Sequence, residues 1–513
     1  MYDLPRRPGP RGLPLRLLFL SLALLVSPRL TSAATTPDWV ERSGVAAEYP
    51  VSRFLVGFAQ AKGREEAVES AKQQATADLA RQISVQIESS VVDVTREKKG
   101  RLENDLTSRI RATSDIRLDG IRFEIHRKRK EVWVLAILER NSAAAARRKQ
   151  RNQAMIRTKK CLVSAAAEEE AGRSRQALDA YRSCRQPLDE ALEHEAVAAA
   201  IRRAAVLQDQ VGEQLAEHAT RISARIRAIP HEDARSIRAA ADALATQLAR
   251  AGVGRGIALQ TAPLLYQGRD VSSPLGRELA IALESAIGQT EPAGTYASGL
   301  LVLRGSYRED GQNFQIRVSA KEARTGRLIA SAEITLAGAG IPAGMETRPA
   351  NFDRFARDAD KLAGGDVVSG DLRVEVLTNK GMHGIVYEEG EDLTISVRVN
   401  RPAWLRLIYV LTSGDHVPIT QEWYLDESKV NQLVEYPISF KVVAPFGVEM
   451  IHAMASTEKP PKLVTQSKLV DGEPYEVIPD GADQVVRTRG IARKKKKQVV
   501  EQTLKLTTLA LEH

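Results

Sequence analysis

The residue types that most often do chemistry are sparse in this chain of 513 residues, which holds two cysteines and eight histidines. No His-Glu-x-x-His helix, paired-cysteine knuckle or nucleophile elbow occurs, so neither zinc-assisted hydrolysis nor serine acyl transfer has the spacing it needs. His194 and His218 sit among glutamates in a helix-forming stretch, and helical surface charge accounts for them better than a metal site does. Glu168, Glu169 and Glu170 form an acidic run at a helix end that reads as solvated. No catalytic residue, cofactor or metal is expected, and the chain reads as non-enzymatic.

The cysteines invite a structural role. The midpoint of Cys161 and Cys184 falls beside Gly172, the natural turn between two helices, so an antiparallel pair would carry them at one level. In an oxidising compartment they are expected to be bridged, with two reduced, buried thiols as the alternative. Trp404, Trp423 and Tyr424 form a candidate interaction patch; packing in or at the edge of a sheet core is the competing role.

An oxidising destination is written at the N-terminus. Arg6, Arg7, Arg11 and Arg16 make a basic region, residues 17–26 are apolar except for Ser21, and Thr31, Ser32, Ala33 and Ala34 offer the small residues of a cleavage site. An apolar run of about ten residues is too short to span a bilayer. Pro8-Gly9-Pro10 after the arginine pair favours the general secretory route over the twin-arginine route. With no cysteine near the cleavage site, lipidation is not expected, and the predicted location is the periplasm, free or in contact with the outer membrane.

Composition, at 43% hydrophobic and 27% charged, is that of an ordinary globular chain long enough for about three or four domains. The formal charge is +9. Residues 1–34 hold five Arg and one Asp, which supply +4 of it and leave the mature chain near +5. That excess is too small to argue for nucleic acid. Basic runs at 127–130 and 493–497 fit solvated hairpin tips better than anionic lipid or polymer contacts.

The predicted class is α+β multidomain. Residues 54–61 read as a strand, and 64–89 as a helix striped by Ala67, Ala71, Ala75, Leu79, Ile83 and Ile87, continuing in polar form towards 112. Ile121, Phe123 and Ile125 alternate with polar residues, and 132–138 returns as a strand. This gives a β-α-β-β N-terminal unit over 35–141. Residues 142–229 predict a helical hairpin spacer, 230–345 an α/β middle domain ending in a three-strand meander, 346–367 a helical linker, 368–460 an Ig-like β-sandwich, and 461–513 a basic C-terminal hairpin.

Three resemblances attach to these units. Pro37-Asp38-Trp39-Val40, Phe54-Leu55-Val56-Gly57-Phe58-Ala59, the helix ending Leu79-Ala80-Arg81-Gln82-Ile83-Ser84-Val85, and Val132-Trp133-Val134-Leu135 resemble the lipoprotein-twenty family over about a fifth of the chain. That implies an envelope protein, since members are often outer-membrane lipoproteins and a similar fold begins a periplasmic flagellar ring protein. This chain departs from them in lacking the lipidated cysteine. Gly305-Ser306-Tyr307 and the segment Thr325-Gly326-Arg327-Leu328-Ile329-Ala330-Ser331-Ala332 resemble the α/β domain of TolB N-termini and of flagellar and curli accessory proteins, which implies assembly contacts. Tyr387 to Leu393, Trp404 to Val410 and Pro445-Phe446-Gly447-Val448-Glu449 resemble a bacterial β-sandwich family known as a domain of unknown function, which implies an accessory module.

The function expected from these features is that of an exported scaffold or assembly factor of an outer-membrane-associated machine of secretion, flagellar or export type. Its partners would be envelope proteins or further copies of itself, with peripheral outer-membrane or peptidoglycan contact and no nucleic acid. A periplasmic sensor binding a ligand or peptidoglycan is the alternative.

Overall fold

The computed structural model describes residues 36–97, 118–363, 372–481 and 499–511, apart from positions 43, 45, 64, 205, 208, 230–232, 294–298, 325, 471 and 480. The leader, the helix continuation beyond 97 and the basic run at 493–497 lie outside the described residues. The fold is mixed α and β with several sheets.

The chain begins with a short helix α1 (Asp38–Glu41), then β1 (Phe54–Lys62), α2 (Glu65–Glu97), β2 (Arg122–Lys128) and β3 (Glu131–Glu139). The three strands form an antiparallel sheet in the order β1-β3-β2, with Phe54 opposite Glu139 and Lys62 opposite Glu131. Alternation sends Leu55, Ala59, Val134, Ala136 and Leu138 towards the α2 stripe, and Val56, Phe58, Leu135 and Ile137 to a second layer under Trp39. Small residues on both sides let helix and sheet approach closely. A Cβ on Gly57 would stand 2.0 Å from the Ala75 carbonyl oxygen, so only glycine fits there. The basic run at 127–130 is the exposed β2–β3 turn.

Helix α3 (Arg140–Glu170) leaves β3 without a break and is followed by α4 (Ser174–Ser183), α5 (Arg185–Arg202) and α6 (Gln210–Ala228). These helices do not stand apart as a hairpin spacer. One apolar cluster runs from Leu55 through α2, Ala144, Leu162, Tyr181 and Leu192 to Ile229, so sheet and helices share a core. The Ala-rich faces bury with little apolar signature, which is why the sequence makes them look independent. Gly172, at φ +71°, turns α3 into α4, and Cys161 is bonded to Cys184 at the α4–α5 junction with their Cα atoms 5.5 Å apart. The buried Arg151 of this core is matched: it donates to Glu195 at 2.6 Å and to Asp209 at 2.8 Å, while Asp209 also caps α6 at the Gly212 amide.

The middle unit comprises α7 (Ile237–Ala249), β4 (Leu259–Thr261), β5 (Leu265–Tyr266), α8 (Pro274–Gln289), β6 (Leu301–Asp310), β7 (Asn313–Glu322) and β8 (Leu328–Ala337), with α9 (Phe352–Ala363) after it. β6, β7 and β8 form an antiparallel meander, and β4 and β5 each run parallel to β6. β4 and β5 are separated at Pro263, which has no amide to give the ladder. The helices clamp this sheet through Arg185, 3.2 Å from Glu333, and Lys321, 2.9 Å from Glu193.

Twelve strands follow: β9 (Val374–Thr378), β10 (Ile385–Glu388), β11 (Asp392–Leu393), β12 (Ile395–Val399), β13 (Ala403–Val410), β14 (His416–Leu425), β15 (Val434–Glu435), β16 (Phe440–Lys441), β17 (Gly447–Ser456), β18 (Gln466–Val470), β19 (Glu473–Val477) and β20 (Val499–Leu509). A five-stranded sheet β10-β20-β17-β13-β14 and a three-stranded sheet β15-β12-β9 share one apolar core. β20 is a body strand, paired with β17 from Gly447–Thr508 to Ser456–Val499, so no separate C-terminal hairpin closes at 503–511. β18 and β19 make a separate two-stranded ribbon, and β11 and β16 another. The back of the larger sheet, through Ile408, Val410, Val448 and Met450, belongs to the core of the middle unit.

Two substitutions test this packing. Gly57→Val should destabilise the protein by about 1–3 kcal/mol through overpacking against α2, read as a lower melting temperature; an unchanged melt contradicts the close approach. Removing the Cys161–Cys184 bond, which closes a separation of 23 residues, should cost about 3 kcal/mol on the chain-entropy model. Alkylation of both thiols in purified protein without reductant would contradict the bond.

Candidate interaction site

The candidate aromatic patch is divided by strand geometry. Trp404 pairs with Tyr424 and Leu405 with Trp423 across β13 and β14, and neighbours along a strand face opposite ways. Trp404 and Tyr424 therefore stack on one face, rings 4.9 Å apart, with Lys459 Nζ 5.2 Å above Trp404. Tyr424 is 48% exposed. Trp423 lies on the other face, edge-on to Tyr436 at 5.3 Å against the core. Two of the three expected residues share a face, and the third is half-buried against the core on the other. His194 and His218 are on different helices. Burial and the Arg147 cation push the His194 imidazole down to about 4, and burial also lowers His218, so both favour the neutral form. No cluster of metal-ligating side chains occurs among the described residues.

A site that the sequence does not announce lies where the last unit meets the first. Gln74, Asp78, Arg81 and Gln82 share one face of α2, being seven and eight residues apart at most along two turns. That face borders the open edge of β1. The Phe58 amide donates to Asp78 at 3.2 Å, and the Val56 carbonyl accepts from Gln82 at 2.9 Å and from Arg373 at 2.9 Å. Arg373 also pairs with Asp78, and Arg81 reaches Glu375 at 2.5 Å. Arg398 donates to Glu375 at 2.5 Å and to Gln74 at 3.4 Å. The side chains of Asp78 and Glu375 are 11% and 6% exposed, so three arginines and two carboxylates meet largely out of water.

This cluster carried a faint signal. Leu372, Val374 and Val376 alternate inward along β9, and the residues between them, Arg373 and Glu375, have signs opposite to those of Asp78 and Arg81. Nothing local tells which partner they meet. Beyond the cluster, a cleft of about 400 Å³ opens between the end of β1 and the Val430–Leu433 segment.

A further buried group is titratable. Burial raises the Glu449 carboxyl from an ordinary 4.5 to about 7, although the Tyr409 hydroxyl, donating at 2.9 Å, pulls it down.

No family model and no curated protein matches the chain. Among solved structures, the secreted protein HP1454 from the human pathogen Helicobacter pylori aligns with 54% of this chain and 86% of its own length, at 11% identity and a TM-score of 0.21. That degree of likeness defines neither fold nor function.

Glu449 gives a pH signature with a definite sign. A carboxyl raised in the fold stabilises fully below its unfolded value, and the contribution is lost as pH rises through the folded value. Wild type should therefore lose stability relative to Glu449→Gln between about pH 4.5 and 7. Melting both proteins at pH 5 and pH 8 checks it, and a pH-independent difference contradicts it.

Proposed function

We propose that the chain is an exported, non-catalytic scaffold or assembly factor that works in the periplasm beside an outer-membrane-associated machine of secretion, flagellar or export type. In this proposal residues 35–141 act as a lipoprotein-twenty-like contact unit, the middle unit is TolB-like, and the C-terminal unit is an Ig-like sandwich serving as an accessory module. The leader-like N-terminus and the Cys161–Cys184 bond support an oxidising destination.

The observation that carries the proposal is an asymmetry between the two edges of the N-terminal sheet. β1 is stoppered at Val56 and Phe58 by side chains, so that stretch is not an open edge. β2, at the other end of the sheet, carries Phe123 at 38% and Ile125 at 41% exposure. Exposed strand edges with apolar side chains recruit further strands or helices. The sensor alternative draws its support from the cleft beside β1, and binding to purified peptidoglycan sacculi would favour it.

A photo-crosslinking residue placed at Phe123 in intact cells should capture discrete envelope proteins. Ile125→Lys should reduce that capture at least about tenfold, because a desolvated charge at an interface costs more than 1.4 kcal/mol. Capture that is absent, or indifferent to Ile125→Lys in a protein with a normal melt, contradicts the proposal.

A further inference from the structure

We propose that the cleft beside the end of β1 binds an extended acidic peptide segment, which adds to β1 as a strand; the proposal rests on the assembly role given to the N-terminal unit and names a partner class for it. In an antiparallel ladder, successive residues alternate between pairing with the neighbouring strand and facing away. The Val56 carbonyl and Phe58 amide are taken by side chains outside the sheet, so Val56 and Phe58 are outward-facing positions on β1, and Gln60 is the next. The stoppers end at Phe58. Gln60 lines the cleft instead.

The walls set the chemistry. Gln74 of α2, Leu377 of β9 and Arg398 of β12 line it, Gln74 accepting from Arg398 at 3.4 Å, together with Leu433, which is 53% exposed. The lining includes two cations, Lys62 and Arg398, and no carboxylate. Arg398 is fixed by Glu375 and Gln74, whereas Lys62 is exposed at the strand end. At about 400 Å³ the volume falls in the range of about 300–1,000 Å³ typical of built ligand sites. Strand addition supplies main-chain hydrogen bonds whatever the sequence, and alternate side chains provide selectivity. Here an aliphatic side chain would rest on Leu377 and Leu433 while a carboxylate meets Lys62.

The test uses the full mature chain and two synthetic peptides, acetyl-Thr-Val-Thr-Val-Glu and its lysine-ended counterpart, titrated by calorimetry. The acidic peptide should bind at least about tenfold more tightly, a difference of about 1.4 kcal/mol. Gln60→Pro removes the outward amide at an edge that tolerates proline, and should abolish binding with the melt unchanged. Lys62→Glu should reverse the preference. Binding of neither peptide, or binding indifferent to both substitutions, overturns the proposal. Self-association of the chain that Gln60→Pro abolishes, without peptide binding, also overturns it by giving the edge to a second copy. Failure here with capture at Phe123 intact removes this site alone; peptide binding without capture at Phe123 removes the assembly role and leaves the site.

Discussion

Three arginines and two carboxylates, drawn from α2, from β9 and the residue before it, and from β12, close the molecule on itself. Each successive unit is packed on the one before: the helices share the core of the N-terminal sheet, Arg185 and Lys321 tie them to the middle sheet, and Ile408 and Met450 enter the middle core from the C-terminal unit. The pairing of Arg373 with Asp78, 295 residues apart, returns the chain to its beginning. Charges removed from water are costly unless every one is matched, and losing one partner of a buried pair costs about 3–5 kcal/mol. Sliding the C-terminal unit along β1 would break several of these contacts at once. What this matching secures is position more than stability, since well-packed apolar residues can do as well energetically.

The consequence for β1 follows directly. An edge strand would offer its backbone to any passing chain. Here Arg373 arrives from a distant unit to occupy Val56, and Asp78 satisfies Phe58. The backbone that stays open on this side is at the end of the strand, where Gln60 meets the cleft, which is why the proposed contacts fall there and at the opposite edge, β2.

What the sequence made legible is what depends on local pattern. The α2 stripe, the alternation along β2 and β9, the meander of the middle unit and the placement of the cysteines about Gly172 all follow from periodicity and turn chemistry. What it concealed depends on distant pairing. Val499–Leu509 reads as a strand, but nothing in it says that its partners are Gly447–Ser456 and, in parallel, Ile385–Glu388. Alanine-rich helices gave no hint that they share a core with the N-terminal sheet. The aromatic patch is divided for a reason that was readable: Trp423 and Tyr424 are adjacent in a strand and must face opposite ways. The counter-charges of Arg373 and Glu375, Asp78 and Arg81, lie some 300 residues upstream, where no local pattern points to them.

The central claim is that the buried ion cluster couples the C-terminal unit to the first. Native-state hydrogen exchange of the 54–62 segment in a double-mutant cycle on Arg81 and Glu375, which meet at 2.5 Å, measures that coupling. If the cluster holds the units together, Arg81→Met, Glu375→Gln and the double variant should all open β1 to a similar extent, with a coupling free energy of about 1 kcal/mol or more. Effects that add to within about 0.3 kcal/mol would show that the two side chains act independently, and the account would be wrong.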